Sequence, residues 1–197
     1  TAQHLHSICS KNLISTTFEL GGKSPLIIDK DSNLKIAAKR VCLGKFINCG
    51  QTCIAPDYLF VHKEVKEEFI NLLKENIISF FGTEASKSEN YGRIINQRQF
   101  LRIKSLLSQG EIIFGGKHDE RNNYISPTLI KPYELNNSLM QDEIFGPILP
   151  ILEFENIENV IEYINQRPRP LALYYFGNKN INIIKRTTSG GACINDA

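Results

Sequence analysis

Short apolar runs rich in β-branched and aromatic residues alternate along this chain with longer stretches in which apolar residues recur every three or four positions. That alternation constrains the fold more than any other feature. The runs are Leu26-Ile27-Ile28, Tyr58 to Val61, Ile112-Ile113-Phe114, Tyr124 to Ile130, Ile148 to Phe154, Leu171 to Phe176 and Ala192-Cys193-Ile194, each with strand character. Between them lie helical stripes. Leu34, Ala37, Ala38, Val41 and Cys42 continue through Phe46 to a stop at Gly50, and Val65, Phe69, Leu72, Leu73, Ile77 and Phe80 end at Gly82. Phe100, Ile103 and Leu107 close at Gly110, Ile157, Val160, Ile161 and Ile164 form a further stripe, and Ile181 and Ile184 mark a short one. Strand, helix and strand at these lengths require right-handed crossovers, so the expected class is α/β, a mostly parallel sheet covered by helices.

Punctuation supports the spacing. Asp31, Ser32 or Asn33 can cap the first stripe, and Asn96 and Asn156 two later ones. Pro127 marks its run as an edge strand or an irregular one, and His118 sits among charges that read as an exposed loop. Met140 to Pro147 reads as a loop with a buried Ile144/Phe145 pair. Residues 1–17 carry Leu5, Ile8, Leu13 and Ile14 without a period.

Composition excludes several classes of function. The chain has 197 residues, 42% hydrophobic and 22% charged, enough for one domain with a sizeable core. Its 23 basic and 21 acidic residues leave a charge of +2 with no block of one sign, so no nucleic-acid partner is expected. Five cysteines, an odd number without dense spacing, suit a reducing, cytoplasmic compartment better than a disulfide framework. No metal site is expected, because Cys49 and Cys53 lack a second Cys/His pair at zinc-finger spacing. No apolar run is long enough to cross a bilayer. Gly22-Lys23-Ser24 suggests a phosphate loop, but the glycine that motif needs upstream is Thr17, and a strand follows where a helix should.

One stretch invites chemistry, Asn48-Cys49-Gly50-Gln51-Thr52-Cys53-Ile54-Ala55-Pro56-Asp57-Tyr58. A helical pattern stops at glycine and a cysteine follows in a polar turn, where a thiolate is reachable and backbone N–H groups can face developing negative charge. Taken alone, a cysteine is more often core packing. Glu19 before the Gly21-Gly22 turn and Glu143 before Gly146-Pro147 are further candidates at strand ends. None of His4, His6, His62 and His118 makes a convincing partner for Cys53, which disfavours a Cys-His hydrolase.

Three strings, Phe18-Glu19-Leu20-Gly21-Gly22-Lys23-Ser24-Pro25, Gly50-Gln51-Thr52-Cys53 and Glu143-Ile144-Phe145-Gly146-Pro147, resemble in order and spacing the glutamate, cysteine and cofactor motifs of the aldehyde dehydrogenases. Ala55-Pro56-Asp57-Tyr58, Tyr91 to Asn96, Ile148 to Ile151 and Pro170 to Tyr174 are similar to the class 3 branch, and Asn48 to Ile54 to its long-chain fatty aldehyde members. The resemblance covers about residues 16–196.

What the resemblance implies is oxidation of medium or long aliphatic aldehydes to acids with NAD or NADP. Cys53 would form a hemithioacetal and then a thioester, and Glu19 would activate the hydrolytic water. Glu143 would hold the ribose on the nicotinamide side, Phe145 would pack near the ring, and Gly21 would belong to the cofactor side. It also implies a division into residues 1–20, a remnant of the cofactor-binding domain with its linking strand, and 21–197, a catalytic domain shortened at its C-terminus. A homodimer is implied for the complete protein. Membrane attachment, to the endoplasmic reticulum, is implied only for a form with a tail beyond Ala197. The alternative is a truncated, non-catalytic product that at most associates with a full-length subunit.

Overall fold

The computed structural model describes residues 2–197; Thr1, the first residue of the expected remnant, lies outside them. Helices are α1 (Ala2–Lys11), α2 (Leu34–Phe46), α3 (Lys66–Phe81), α4 (Gln97–Leu106), α5 (Ser138–Gln141), α6 (Ile157–Asn165) and α7 (Ile183–Arg186). Strands are β1 (Pro25–Ile28), β2 (Tyr58–His62), β3 (Gly110–Phe114), β4 (His118–Asp119), β5 (Tyr124–Ile125), β6 (Thr128–Pro132), β7 (Ile148–Phe154), β8 (Ala172–Phe176) and β9 (Gly191–Ile194). Seven strands form one sheet in the order β3-β6-β7-β2-β1-β8-β9, parallel except for the antiparallel β3–β6 pair at one edge, while β4 and β5 make a separate ribbon. The expected class therefore holds.

Strands β1, β2 and β8 are buried along their whole length, which a sheet achieves only when both faces are covered. Ala37, Ala38, Val41, Cys42 and Phe46 form the buried stripe of α2, and Phe69, Ile70, Leu73, Ile77 and Phe81 that of α3, the helix packed against it. Each such large apolar side chain stabilises the fold by roughly 1.5–3 kcal/mol. Asparagines cap as their short side chains allow: Asn33, Asn96 and Asn156 accept from Ile36 N, Gln99 N and Glu158 N.

Several local expectations change. The first long stripe ends as an α-helix at Phe46, because Asn48, Cys49 and Gly50 take left-handed φ values of 50°, 59° and 72° and turn the chain toward the thiol. Pro127 interrupts its run between β5 and β6, yet β6 lies between β3 and β7, so the proline marks a break and not an edge. His118 is exposed but pairs with Ile125 across the β4–β5 ribbon. Ile181 is exposed outside α7, whose buried residue is Ile183. Phe145 is exposed, not half of a buried pair. The aperiodic N-terminus contains α1, none of whose residues is buried. No helix of the described residues is long and apolar enough to cross a membrane.

Candidate active site

The candidate residues gather at one end of the sheet. Gly21 to Ser24 lead into β1, Cys53 to Asp57 into β2 and Glu143 to Pro147 into β7, and parallel registers such as Pro25 with Tyr58 and Leu59 with Ile151 put these entries side by side. They stand at the amino ends of the strands, whereas ligands in open parallel sheets usually bind at the carboxyl ends.

Cys53 rides on a braced turn. The left-handed backbone at Gly50 lets the chain lie directly on the neighbouring loop; a Cβ there would stand 2.3 Å from the Gly146 carbonyl oxygen. Gln51 then clamps the turn sideways. Its Nε2 donates to Asn48 O at 3.1 Å and to Arg93 O at 3.0 Å, and its Oε1 accepts from Ile95 N at 3.0 Å. The Cys53 thiol is exposed, while Cys42 and Cys49 are buried. Burial pushes the Cys42 thiol up to about 12 and Cys49 up to about 11, so neither forms a thiolate near neutral pH.

Glu143 and Phe145 flank a buried anchor, Ile144. The Ile144 N–H donates to Asp57 Oδ1 at 2.8 Å, while its carbonyl accepts from Arg102 Nη2 at 2.7 Å and that of Glu143 from Arg102 Nη1 at 3.3 Å. Asp57 is in turn ion-paired with Lys23, whose ammonium also donates to Leu139 O at 2.7 Å and Asp142 O at 2.9 Å. Gripped this way, the loop carries Phe145 at a φ of 48°, a left-handed conformation that a bulky residue keeps only when its surroundings hold it.

The Glu143 carboxylate reaches back to the glycine turn. Its Oε1 accepts from Gly22 N at 3.1 Å, and a Cβ on Gly21 would stand 2.1 Å from that oxygen, so a side chain there would push the carboxylate from this position. Burial raises the Glu143 pKa, and the Gly22 N–H partly offsets it. Glu143 Oε2 makes no hydrogen bond among the described residues and remains an acceptor. A groove of about 670 Å³ beside it is lined by Gln51, Asn96, Arg102, Glu143 and Phe145 among others. A free carboxylate acceptor next to an exposed aromatic ring suits a sugar diol and a flat heterocycle, so the residues present fit the ribose and ring of a nicotinamide nucleotide.

Glu143, Gly21 and the backbone of the Cys53 turn are thus brought together. Glu19 is exposed in the irregular segment between α1 and β1, and no hydrogen bond or ion pair of the described residues joins it to Cys53. Lys23, Asp57, Arg102 and Gln51 go unnoticed as site members in the sequence. Lys23 and Asp57 stand inside the quoted motifs and could have been found as opposite charges beside two apolar strands. Arg102 shows only as a polar residue on a helix.

The sequence profile of the aldehyde dehydrogenase family matches residues 1–197. A 4,4'-diaponeurosporen-aldehyde dehydrogenase of Staphylococcus aureus is 44% identical over 98% of this chain and 43% of its own length. Family 3 member A2 of the rat is 47% identical over 95% of the chain and 39% of its own. The rat enzyme described as dimeric and NADP-preferring is 44% identical over 95% of the chain and 42% of its own. The chain thus spans about two fifths of these relatives. In structure, the substrate-bound S. aureus AldH superposes with a TM-score of 0.96 at 43% identity, over all of this chain and 44% of that one. The profile match, the relatives and the shared fold agree: this chain belongs to the aldehyde dehydrogenase family.

Proposed function

We propose that the protein carrying this chain oxidises medium or long aliphatic aldehydes to carboxylic acids with NAD or NADP, and that residues 21–197 are its thiol-bearing portion. The observation that carries the reading is the exposed Cys53, on a turn packed against the loop whose Glu143 carboxylate rests on Gly21 and Gly22. The Cys53 thiolate attacks the aldehyde carbon, a C–S bond forms, and the carbonyl electron pair moves to oxygen, where the Cys53 backbone N–H donates to it. A nicotinamide ring, when bound, would supply the hydride acceptor that this oxidation needs, leaving the acyl group on Cys53 as a thioester. Glu19 takes a proton from water as that water attacks the thioester carbon; the C–S bond breaks, releasing the acid and the thiolate.

Glu143 Oε2 is assigned to the ribose hydroxyls and Phe145 to the ring. Residues 1–20 are assigned to a remnant of the cofactor-binding domain and its link to the catalytic domain. We extend homodimer formation to this protein from the relative named as dimeric.

The test is aldehyde-dependent NAD(P)H formation by the protein that carries the chain. Cys53→Ala is expected to lower kcat at least about a hundredfold. Glu19→Gln is expected to keep a first-turnover burst while steady turnover falls by roughly 10²–10⁴. Undiminished activity in Cys53→Ala would overturn the reading.

A further inference from the structure

We infer that Tyr174 is a positioning residue for the nucleophile, its hydroxyl reaching from β8 to hold the turn that presents Cys53. The inference rests on the reading of Cys53 given above. Tyr174 is 5% exposed, in a strand flanked by β1, where it pairs with Leu26, and by β9, where it pairs with Cys193. A strand buried along its whole length is a rigid mount. From there the phenol O–H donates to the carbonyl of Ile54, the residue after Cys53, at 2.6 Å.

The turn itself is closed by Ala55 N–H donating to Thr52 O at 3.0 Å, with Cys53 exposed at its crest. Gln51 fixes its leading side to the Arg93–Ile95 segment, and Tyr174 fixes its trailing side to the sheet. A thiol can therefore stay solvent-accessible while the backbone that aims it does not drift. Burial first, then the neighbouring thiols of Cys193 and Cys53, push the phenol up to about 12, so it remains a donor through the neutral range. The hydroxyl is the working group: phenylalanine would fill the same space and leave the Ile54 carbonyl unheld. Misplacing a reacting group by about 1 Å can lower a rate roughly a hundredfold.

Tyr174→Phe in the protein that carries this chain supplies the test. Amide exchange in the peptide spanning residues 52–56 should rise at least about tenfold, with α3 unchanged. The kcat for aldehyde oxidation should fall about tenfold or more with KM for NAD(P) unchanged, and Cys42 and Cys49 should stay shielded from iodoacetamide. Unchanged exchange at residues 52–56, or a fall in kcat matched by lost protection throughout α3, would overturn the proposal. Wild-type exchange gives a check that needs no variant. The Ala55 amide should exchange much more slowly than an unfolded chain while Cys53 alkylates readily, and exchange near the unfolded rate would also overturn it. If the wild type oxidises no aldehyde but Tyr174→Phe still loosens residues 52–56, the chemistry assigned to Cys53 falls while the anchoring stands.

Discussion

Lys45 is the residue whose side chain is hardest to reconcile with its surroundings. It is 1% exposed, and burial pushes its ammonium down to about 8, against the partial support of Asp57. An amine with a lower pKa folded than unfolded binds fewer protons in the native state between those two values, so stability rises with pH across that interval. Below about 8 the full penalty is present, of the order of 3 kcal/mol. Buried Cys42 and Cys49 act in the opposite sense above pH 9, because their raised folded values make ionisation favour the unfolded chain. Comparing wild type with Lys45→Met removes the Cys42 contribution and most of that of Cys49, whose thiol is only weakly coupled to Lys45. Urea unfolding at pH 7.5 and 9.5 should show the wild type gaining about 2 kcal/mol relative to the variant. A pH-independent difference would mean that Lys45 keeps its charge at ordinary cost. Cys53 offers the contrast at the same scale: it is exposed where Cys49 is buried, a difference that the spacing of the two cysteines does not reveal.

Among the elements, the join between α2 and β2 decides how the thiol is presented. Its strands and helix were legible because apolar spacing reports burial: Tyr58 to Val61 and Ala37, Ala38, Val41 and Cys42 are all buried. The end of the helix was not. Gly50 read as the stop, yet the α-helix breaks at Phe46: Asn48 and Cys49 adopt left-handed backbone, Gln51 ties that turn to Arg93 and Ile95, and Gly50 lies against Gly146, partners distant in the chain that local apolar spacing does not report. Phe145 was misread for a related reason. An aromatic beside Ile144 looks like core until the grip of Asp57 and Arg102 on Ile144 turns its neighbour outward. Gly50→Ala should therefore do more than remove glycine freedom. It places a Cβ 2.3 Å from Gly146 O at a φ of 72°, so the Cys53 turn and the Glu143 loop must separate. A loss of at least about 2 kcal/mol is expected in chemical denaturation, together with faster amide exchange in residues 142–147. An alanine variant as stable as wild type would show that the two loops are not wedged together.

At the scale of the whole molecule, ordered motifs pointed to the candidate site, but its place at the amino ends of β1, β2 and β7 emerges only from strand order, which no single segment encodes. The same view separates a tightly packed body from its amino-terminal stretch. Leu5, Ile8, Leu13, Ile14 and Leu20 are all exposed, and α1, ten residues long, buries none of its side chains. A helix shorter than about 12–15 residues is marginal in water without a surface to pack on. Helix α3, by contrast, buries Phe69, Ile70, Leu73, Ile77 and Phe81. In residues 1–197 taken alone, amides of Ala2–Lys11 should therefore exchange within about tenfold of the unfolded rate, while those of α3 should show protection set by global unfolding. Measured at two protein concentrations, exchange also separates causes. Equal protection of α1 and α3 at both concentrations would contradict its isolation. Protection of α1 that grows with concentration would mark association through the apolar side chains of Leu5 and Ile8, the surface this helix leaves open.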